Sequence, residues 1–181
     1  MVFSPIPDFP QAPVVSPEQA ARLPRSGGPA ALLVRDRASE DAVTALVARL
    51  GPRLLLPEAW SRLLPQTGVL ISSAISGGTL QERFQDAARA YPHRCWLLLE
   101  PMSMEFPLPC PSGVGTPADV PAGDRFFFSD ALCCYYSHFI RENQGIMVLW
   151  DTEETLRTKL ELARACGFSG WAAPEEFLKF L

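Results

Sequence analysis

Short, continuously apolar runs alternate with amphipathic helical segments along most of this 181-residue chain, and this order constrains the fold more than any other feature. The runs ALLV, RLLL, GVLIS and CWLLLE begin at residues 31, 53, 68 and 95. Between them, residues 39–50 and 80–91 carry apolar side chains at helical spacing. Strands that are apolar throughout are covered on both faces, so the pattern predicts a mostly parallel α/β sheet.

The length of the chain bounds the kind of parallel sheet it can form. Seven or eight apolar runs are present, whereas a full (β/α)8 barrel usually takes about 250 residues. The prediction is therefore a TIM-barrel-like (β/α) fold that is trimmed or distorted, with an open sheet as the alternative. Two later runs, CYYSHFI and GIMVLW, are joined by four polar residues, which predicts a C-terminal β-hairpin.

Prolines and glycines divide the chain into an arm and a domain. Residues 1–29 contain seven prolines and a Gly-Gly pair. Because proline removes backbone donors, we expect an extended arm there, with one short helical turn capped by Ser16. Residues 30–181 are expected to form a single barrel-like domain. Within it, residues 101–124 are rich in Pro and Gly and show no periodicity, which predicts a long loop.

Charge and composition argue against several classes of partner. The formal net charge is −4, so we expect no broad basic face for nucleic acid. No apolar run approaches the roughly 20 residues that a membrane span needs. The first residues lack the basic start and apolar stretch of a signal peptide, and the five cysteines are odd in number, so we expect reduced thiols and a cytoplasmic location.

No motif for a metal or a cofactor stands out. The chain lacks a C-x-x-C pair, and the Cys134/His138 spacing has no second pair of ligands. The small residues from Ser72 to Thr79 lie where a turn could hold an anion, but they lack the lysine and spacing of a P-loop. A tight turn that needs glycine explains them equally well. The sequence therefore predicts neither a metal centre nor a cofactor.

Polar residues follow the predicted strands, and sites in parallel α/β folds form where those strands end. Six of them are candidate site residues: Asp36, Ser72, Ser73, Ser76, Glu100 and Asp151. Neighbouring carboxylates push each other's pKa values apart, which suits acid–base chemistry. A role as helix cap is the alternative for Asp36 and Asp151. Glu100 precedes Pro101 and so cannot lie on a helix surface, which favours a pocket-lining role.

The last 48 residues resemble the C-terminal end of family 18 glycoside hydrolase barrels, particularly their spore-germination, cell-wall-associated branch. A strand ends there in an aromatic and an acidic residue, a helix with Ser/Thr and Lys follows, and a short G-x-x-G strand closes the barrel. The residues at those places are Trp150, Asp151, Thr155, Lys159, Gly167 and Gly170. The resemblance implies a barrel that binds a saccharide at the strand ends, with the aromatic residues Trp150 and Trp171 as further candidate binding residues.

The chain departs from that family at its catalytic motif. The family carries D-x-x-D-x-D-x-E on its fourth strand, where the Glu donates a proton; the corresponding run here, CWLLLEPMSME, keeps Glu100 but none of the aspartates. The aromatic residue of the last strand is Trp171, offset from the place near Pro174 where the family's tryptophan floors the sugar site. Two hypotheses follow: a non-catalytic barrel that binds a saccharide or a protein partner, and an active glycosidase that uses Glu100 with Asp151 or Asp36.

Overall fold

The fold was taken from a computed structural model, which describes residues 8–32, 40–61, 65–110, 114–118 and 125–175. Within these residues, six strands form a closed, all-parallel barrel, in which each strand is hydrogen-bonded to the next around the ring. In spatial order they are β1 (Gln11–Val15), β11 (Trp171–Ala173), β5 (Cys95–Leu98), β4 (Gly68–Ser72), β3 (Leu54–Pro57) and β2 (Ala30–Leu32). The predicted mostly parallel, barrel-like α/β fold is confirmed, in an incomplete form.

The centre of the barrel is filled by one small or medium side chain from each strand, and Val14 and Trp96 pack against this cluster. A barrel of six strands is narrower than one of eight, so there is little room at its centre. The six buried residues that pack together there are Ala12, Ala31, Leu55, Leu70, Leu98 and Ala172. Three of the six are alanines, whose small side chains fit inside a barrel with two strands fewer than the eight-stranded form.

Helices cover the outside of the barrel. They are α1 (Pro17–Ala20), α2 (Glu40–Leu50), α3 (Leu80–Ala90) and α4 (Glu153–Ala165). The apolar faces of α1 and α2 pack with β2 and β3, while α3 and α4 pack with β4, β5 and β11. None of the described helices has both the length and the apolar character needed to cross a membrane.

An antiparallel sheet of five strands is inserted between β5 and β11 in the sequence. Its strands are β6 (Ser103–Leu108), β7 (Thr116–Pro117), β8 (Phe127–Ser129), β9 (Cys134–Arg141) and β10 (Gln144–Trp150), in the spatial order β7-β6-β10-β9-β8. β6 begins shortly after the carboxyl end of β5. β10 pairs antiparallel with β6, with Trp150 opposite Ser103. The sheet therefore continues from the carboxyl end of the barrel strands.

The predicted hairpin is confirmed, with a tighter turn than expected. β9 and β10 pair from Arg141↔Gln144 to Tyr135↔Trp150. Only Glu142 and Asn143 connect them, and both have a positive φ, of 50° and 66°. Positive φ at both central residues is the requirement of the two-residue turn that matches the twist of the strands.

Residues 1–29 were expected to form an extended arm, but Gln11–Val15 form barrel strand β1. The strand closes the ring by pairing with β2 on one side and β11 on the other. Proline removes a donor but keeps its carbonyl, and the Pro10 oxygen accepts a 3.0 Å hydrogen bond from the Trp171 N–H. Counting prolines therefore missed a strand that directly follows Pro10, whose carbonyl still serves as an acceptor. The short helix after it is capped by Ser16 as predicted.

The long loop expected at 101–124 is wrong for its first part, which is the strand β6. Every residue of β6 has a partner on β10, including Pro107, which lies opposite Ile146. The period-two pattern of Met104, Phe106 and Leu108 was the available signal, and the surrounding prolines obscured it. Residues 111–113 and 119–124 lie outside the described residues.

The starts of two helices differ from what their sequences indicate. The T-x-x-E spacing of Thr79 and Glu82 is that of a capping box, but the Thr79 side chain makes no capping hydrogen bond at the start of α3. At α4 the N-cap residue is Thr152, which exchanges hydrogen bonds with Thr155. Asp151 lies one residue before the cap and is used differently, as described below.

Candidate functional site

A cleft of about 520 Å³ lies between the carboxyl ends of the barrel strands and the inserted sheet. Its polar lining comes from Ser72, Ser76 and Glu100. The apolar lining comes from both sides of the cleft: Ala74, Pro101, Met102, Met104, Phe106, Val114 and Pro174. The cleft thus has one acidic side chain, two hydroxyls and a large apolar wall.

Glu100 is held in the cleft by the two serines that follow β4. Ser72 donates a 2.6 Å hydrogen bond from Oγ to Glu100 Oε2, and its own oxygen accepts from the Ala74 N–H at 3.0 Å. Ser73 is fully buried, and its Oγ lies 3.0 Å from the Glu100 backbone nitrogen, which donates to it. A carboxylate oriented by a hydroxyl and a fixed backbone has little rotational freedom to lose when it binds a ligand.

Glu100 is half-buried and forms no ion pair within the described part of the chain. Arg125, an arginine that could have neutralised it, is an exposed residue, and Arg35 lies outside the described residues. The free Oε1 edge of a carboxylate accepts hydrogen bonds from hydroxyl, amide or ammonium groups. Glu100 can therefore accept hydrogen bonds from a ligand in the cleft.

Asp151 is placed quite differently from Glu100. Its side chain is fully buried and forms a 2.7 Å ion pair with Lys159 Nζ, which is itself 1% exposed. The same carboxylate accepts hydrogen bonds from the Met102 N–H at 2.7 Å and from Thr155 Oγ1 at 2.8 Å. With three donors filling its oxygens, Asp151 ties together the start of β6, the end of β10 and helix α4, and it is not among the residues that line the cleft.

The predicted aromatic residues also lie away from the cleft lining. Trp150 is buried on the opposite face of the inserted sheet, where its ring stacks on Tyr135 at a centroid distance of 6.1 Å. Trp171 is 1% exposed in the barrel wall and belongs to the core under α3 and α4. Of the candidate residues, the structure brings together Ser72, Ser73, Ser76 and Glu100; Asp36 lies outside the described residues.

The part of the cleft that comes from Val114 and Gly115 was missed in the sequence, whereas Pro174 lies where the resemblance places the floor of the sugar site. Gly115 is required there, because a Cβ on it would lie 2.8 Å from the Glu105 carbonyl oxygen and from the Phe106 ring. Its backbone lies against β6, on the border of the cleft. Only a glycine flanked by turn residues marked this contact in the sequence, which is too common a pattern to be informative.

Three of the five cysteines, Cys95, Cys133 and Cys134, are buried. Burial raises the pKa of the Cys95 and Cys134 thiols to about 11. Both therefore stay protonated at neutral pH, where a thiol is a poor nucleophile and a poor metal ligand. Cys134 is buried while His138, on the same strand, is exposed.

These features define the class of protein: a six-stranded parallel α/β barrel whose mouth is flanked by an inserted antiparallel sheet. No model of a known protein family matches the chain, and no curated protein matches it.

Solved structures do show a distant likeness, and they come from spore proteins. The chain is similar to spore cortex-lytic enzymes SleL of Bacillus megaterium (9% identity, TM-score 0.45) and Bacillus cereus (11%, 0.48), over 79% of this chain and 44% and 43% of those chains. It is also similar to ydhD of Bacillus subtilis, described as a sporulation-specific glycosylase (12%, 0.48), over 81% of this chain and 64% of that one. The chain thus spans less than two thirds of each of these three structures.

Proposed function

We propose that this chain is a non-catalytic, glycoside-hydrolase-like barrel that binds a saccharide in the cleft at Glu100. The observation that carries the proposal is the separation of the two predicted catalytic carboxylates. Glu100 lines the cleft, whereas Asp151 is buried and neutralised by Lys159. Glycosidases that use two carboxylates place both at the scissile bond, roughly 5–9.5 Å apart. Among the described residues, Glu100 is the one carboxylate that lines the cleft.

The position of Glu100 in the barrel supports the same proposal. It follows β5, the fifth strand of the barrel in chain order, because β1 precedes the strand first recognised in the sequence. The resembling family keeps its proton donor on the fourth strand, and the fourth strand here, GVLIS, ends in Ser72 without an acidic residue. A lone glutamate on another strand, without the family's aspartates, is suited to binding rather than to hydrolysis.

The chemistry of the cleft fits a sugar ring. A saccharide presents hydroxyl groups around its edge and C–H groups on its faces. Glu100 can accept hydrogen bonds from the edge, while Met102 and Met104 offer apolar contact to a face. A protein partner is the competing occupant, and the binding experiment below separates the two.

The test is titration of the protein with soluble chitin oligosaccharides and peptidoglycan fragments, followed by analysis of the same mixtures for cleavage products. We expect saturable binding without products, and a Glu100→Gln variant that binds at least about tenfold more weakly, since it loses a charged hydrogen-bond acceptor. Glu161→Gln, a change of the same kind on the exposed side of α4, is the matched control and should bind normally. Turnover by the parent protein overturns the proposal, and so does the absence of binding to every glycan.

A further inference from the structure

The face of the inserted sheet that lines the Glu100 cleft extends beyond the cleft. Met104 and Phe106 both line the cleft, and because they lie two residues apart on β6, their side chains share one face of the sheet. Met147 on β10 lies opposite Phe106, and His138 on β9 lies opposite Met147. Residues opposite each other on antiparallel strands have their side chains on the same face. The lining of the cleft therefore continues across β10 to β9.

Three aromatic rings lie together at the far side of this face, those of Phe127, Tyr136 and His138, which we call the aromatic strip. Phe127 of β8 lies opposite Tyr136 of β9, and Tyr136 is two residues from His138. The His138 ring centroid lies 5.9 Å from that of Phe127 and 6.4 Å from that of Tyr136, with interplanar angles of 18° and 22°. The three rings thus form one nearly parallel group.

The aromatic strip is open to solvent, unlike the part of the same face that lies nearer the barrel. Phe127 is 46% exposed, His138 is exposed and Tyr136 is half-buried. Cys134 and Leu149, on the same face of β9 and β10, are buried in the cluster that joins the sheet to the barrel mouth. An exposed apolar surface that continues from a cleft is typical of a ligand-binding groove.

The separation between the cleft and the aromatic strip sets the size of the ligand that can contact both. Neighbouring strands lie about 4.8 Å apart, so His138 on β9 lies roughly 10 Å across the sheet from Phe106 on β6. One sugar ring held at Glu100 does not reach the strip, whereas the further rings of a linear oligosaccharide can. The C–H faces of those rings lose water when they contact aromatic side chains, which favours binding.

We infer that the aromatic strip binds the further rings of a linear oligosaccharide whose end is held at Glu100. The cleft and the strip together therefore select oligosaccharides over short sugars. This inference rests on the proposed function, and the experiment separates the failure of one from the failure of the other.

The test compares a disaccharide with a hexasaccharide of chitin, and short with long glycan fragments of peptidoglycan, by isothermal titration calorimetry. We expect the longer sugar of at least one series to bind about fivefold or more tightly than the shorter one, because truncation of an aromatic contact costs about this much. Phe127→Ala should remove this advantage and leave the affinity for the shorter sugar unchanged. His138→Ala, an exposed position, decides the matter where Phe127→Ala fails to fold.

Phe128→Ala is the matched control, because Phe128 is the next residue of β8 and is 44% exposed. Its ring contacts Tyr135 on the opposite face of the sheet, so this variant should bind both sugars normally. Equal affinity for short and long sugars, or equal losses for Phe127→Ala and Phe128→Ala, would overturn the inference and leave the proposed function standing. If no sugar of either series binds, the proposed function is wrong and the inference fails with it.

Discussion

The parallel barrel and the antiparallel sheet solve the burial of apolar side chains in different ways. The barrel strands are three to five residues long and largely buried, since helices cover one side and the barrel interior the other. The sheet strands β9 and β10 are eight and seven residues long and mix buried with exposed positions. The barrel is thus the more deeply buried region, and the sheet depends on specific contacts that hold it against the barrel.

The buried cluster of Asp151, Thr155 and Lys159 connects these two regions. It joins the first and last residues of the sheet, through the Met102 N–H and the end of β10, to helix α4 of the barrel. A buried charge whose partner is removed is strongly destabilising, by about 3–5 kcal/mol. The stability of the protein should therefore be most sensitive to substitution of Asp151 or Lys159.

The largest effect is expected from Lys159→Met, which leaves the Asp151 carboxylate buried without its cation. We expect the free energy of unfolding to fall by about 3–5 kcal/mol, as measured by urea denaturation. Arg157→Met is the matched control on the same helix, because Arg157 is exposed and its ion pair with Glu153 spans 3.8 Å; it should change stability by less than about 1 kcal/mol. Equal losses for the two variants would contradict a fastening role.

A smaller effect is expected within the barrel from Gly170→Ala. The new Cβ would lie 2.3 Å from Trp96 Cζ3 and 2.5 Å from the Pro10 carbonyl oxygen. Overpacking of this kind costs about 1–3 kcal/mol, and a thermal unfolding curve measures it. Gly77→Ala, where nothing lies within 4 Å of the added Cβ, is the control. A Gly170→Ala protein as stable as the control would mean that Trp96 does not lie across β11.

The smallest effect is expected at the sheet's hairpin turn. Glu142 adopts a positive φ of 50°, a conformation that Asn tolerates better than Glu. Glu142→Asn should raise the free energy of unfolding by about 0.5–1 kcal/mol, part of the roughly 1–2 kcal/mol that the left-handed region costs an ordinary residue. A loss of stability in urea denaturation would contradict the two-residue turn.

The difference between the regions also explains what could be predicted from sequence. Unbroken apolar runs such as GVLIS and CWLL indicate buried parallel strands, and four barrel strands were predicted from such runs. The long helices were predicted separately, from their apolar residues at helical spacing. β1 and β6 were missed because Pro13 and Pro107 lie within them. A proline argues against a strand only when its missing donor is needed, and that depends on neighbours distant in sequence.

The candidate site could also be predicted only in part, since Glu100 and the serines line or border the cleft and Asp151 does not. Glu100 and the serines follow strands that are neighbours in the barrel, and adjacency of strands is a property of the parallel order. Asp151 follows β10, an antiparallel strand whose carboxyl end meets the barrel beside Met102. In the sequence, Glu100 and Asp151 both come directly after an apolar run. Their roles differ in the structure because Asp151 forms an ion pair with the buried Lys159.

The central claim is that Glu100 contacts the ligand while Asp151 holds the structure together. Side-by-side measurement of glycan affinity and thermal unfolding for Glu100→Gln and Asp151→Asn tests it directly. The account predicts that Glu100→Gln loses affinity and keeps its unfolding temperature, whereas Asp151→Asn unfolds roughly 10 °C lower and binds normally while folded. An Asp151→Asn protein that keeps its unfolding temperature but loses glycan binding would contradict this division of roles.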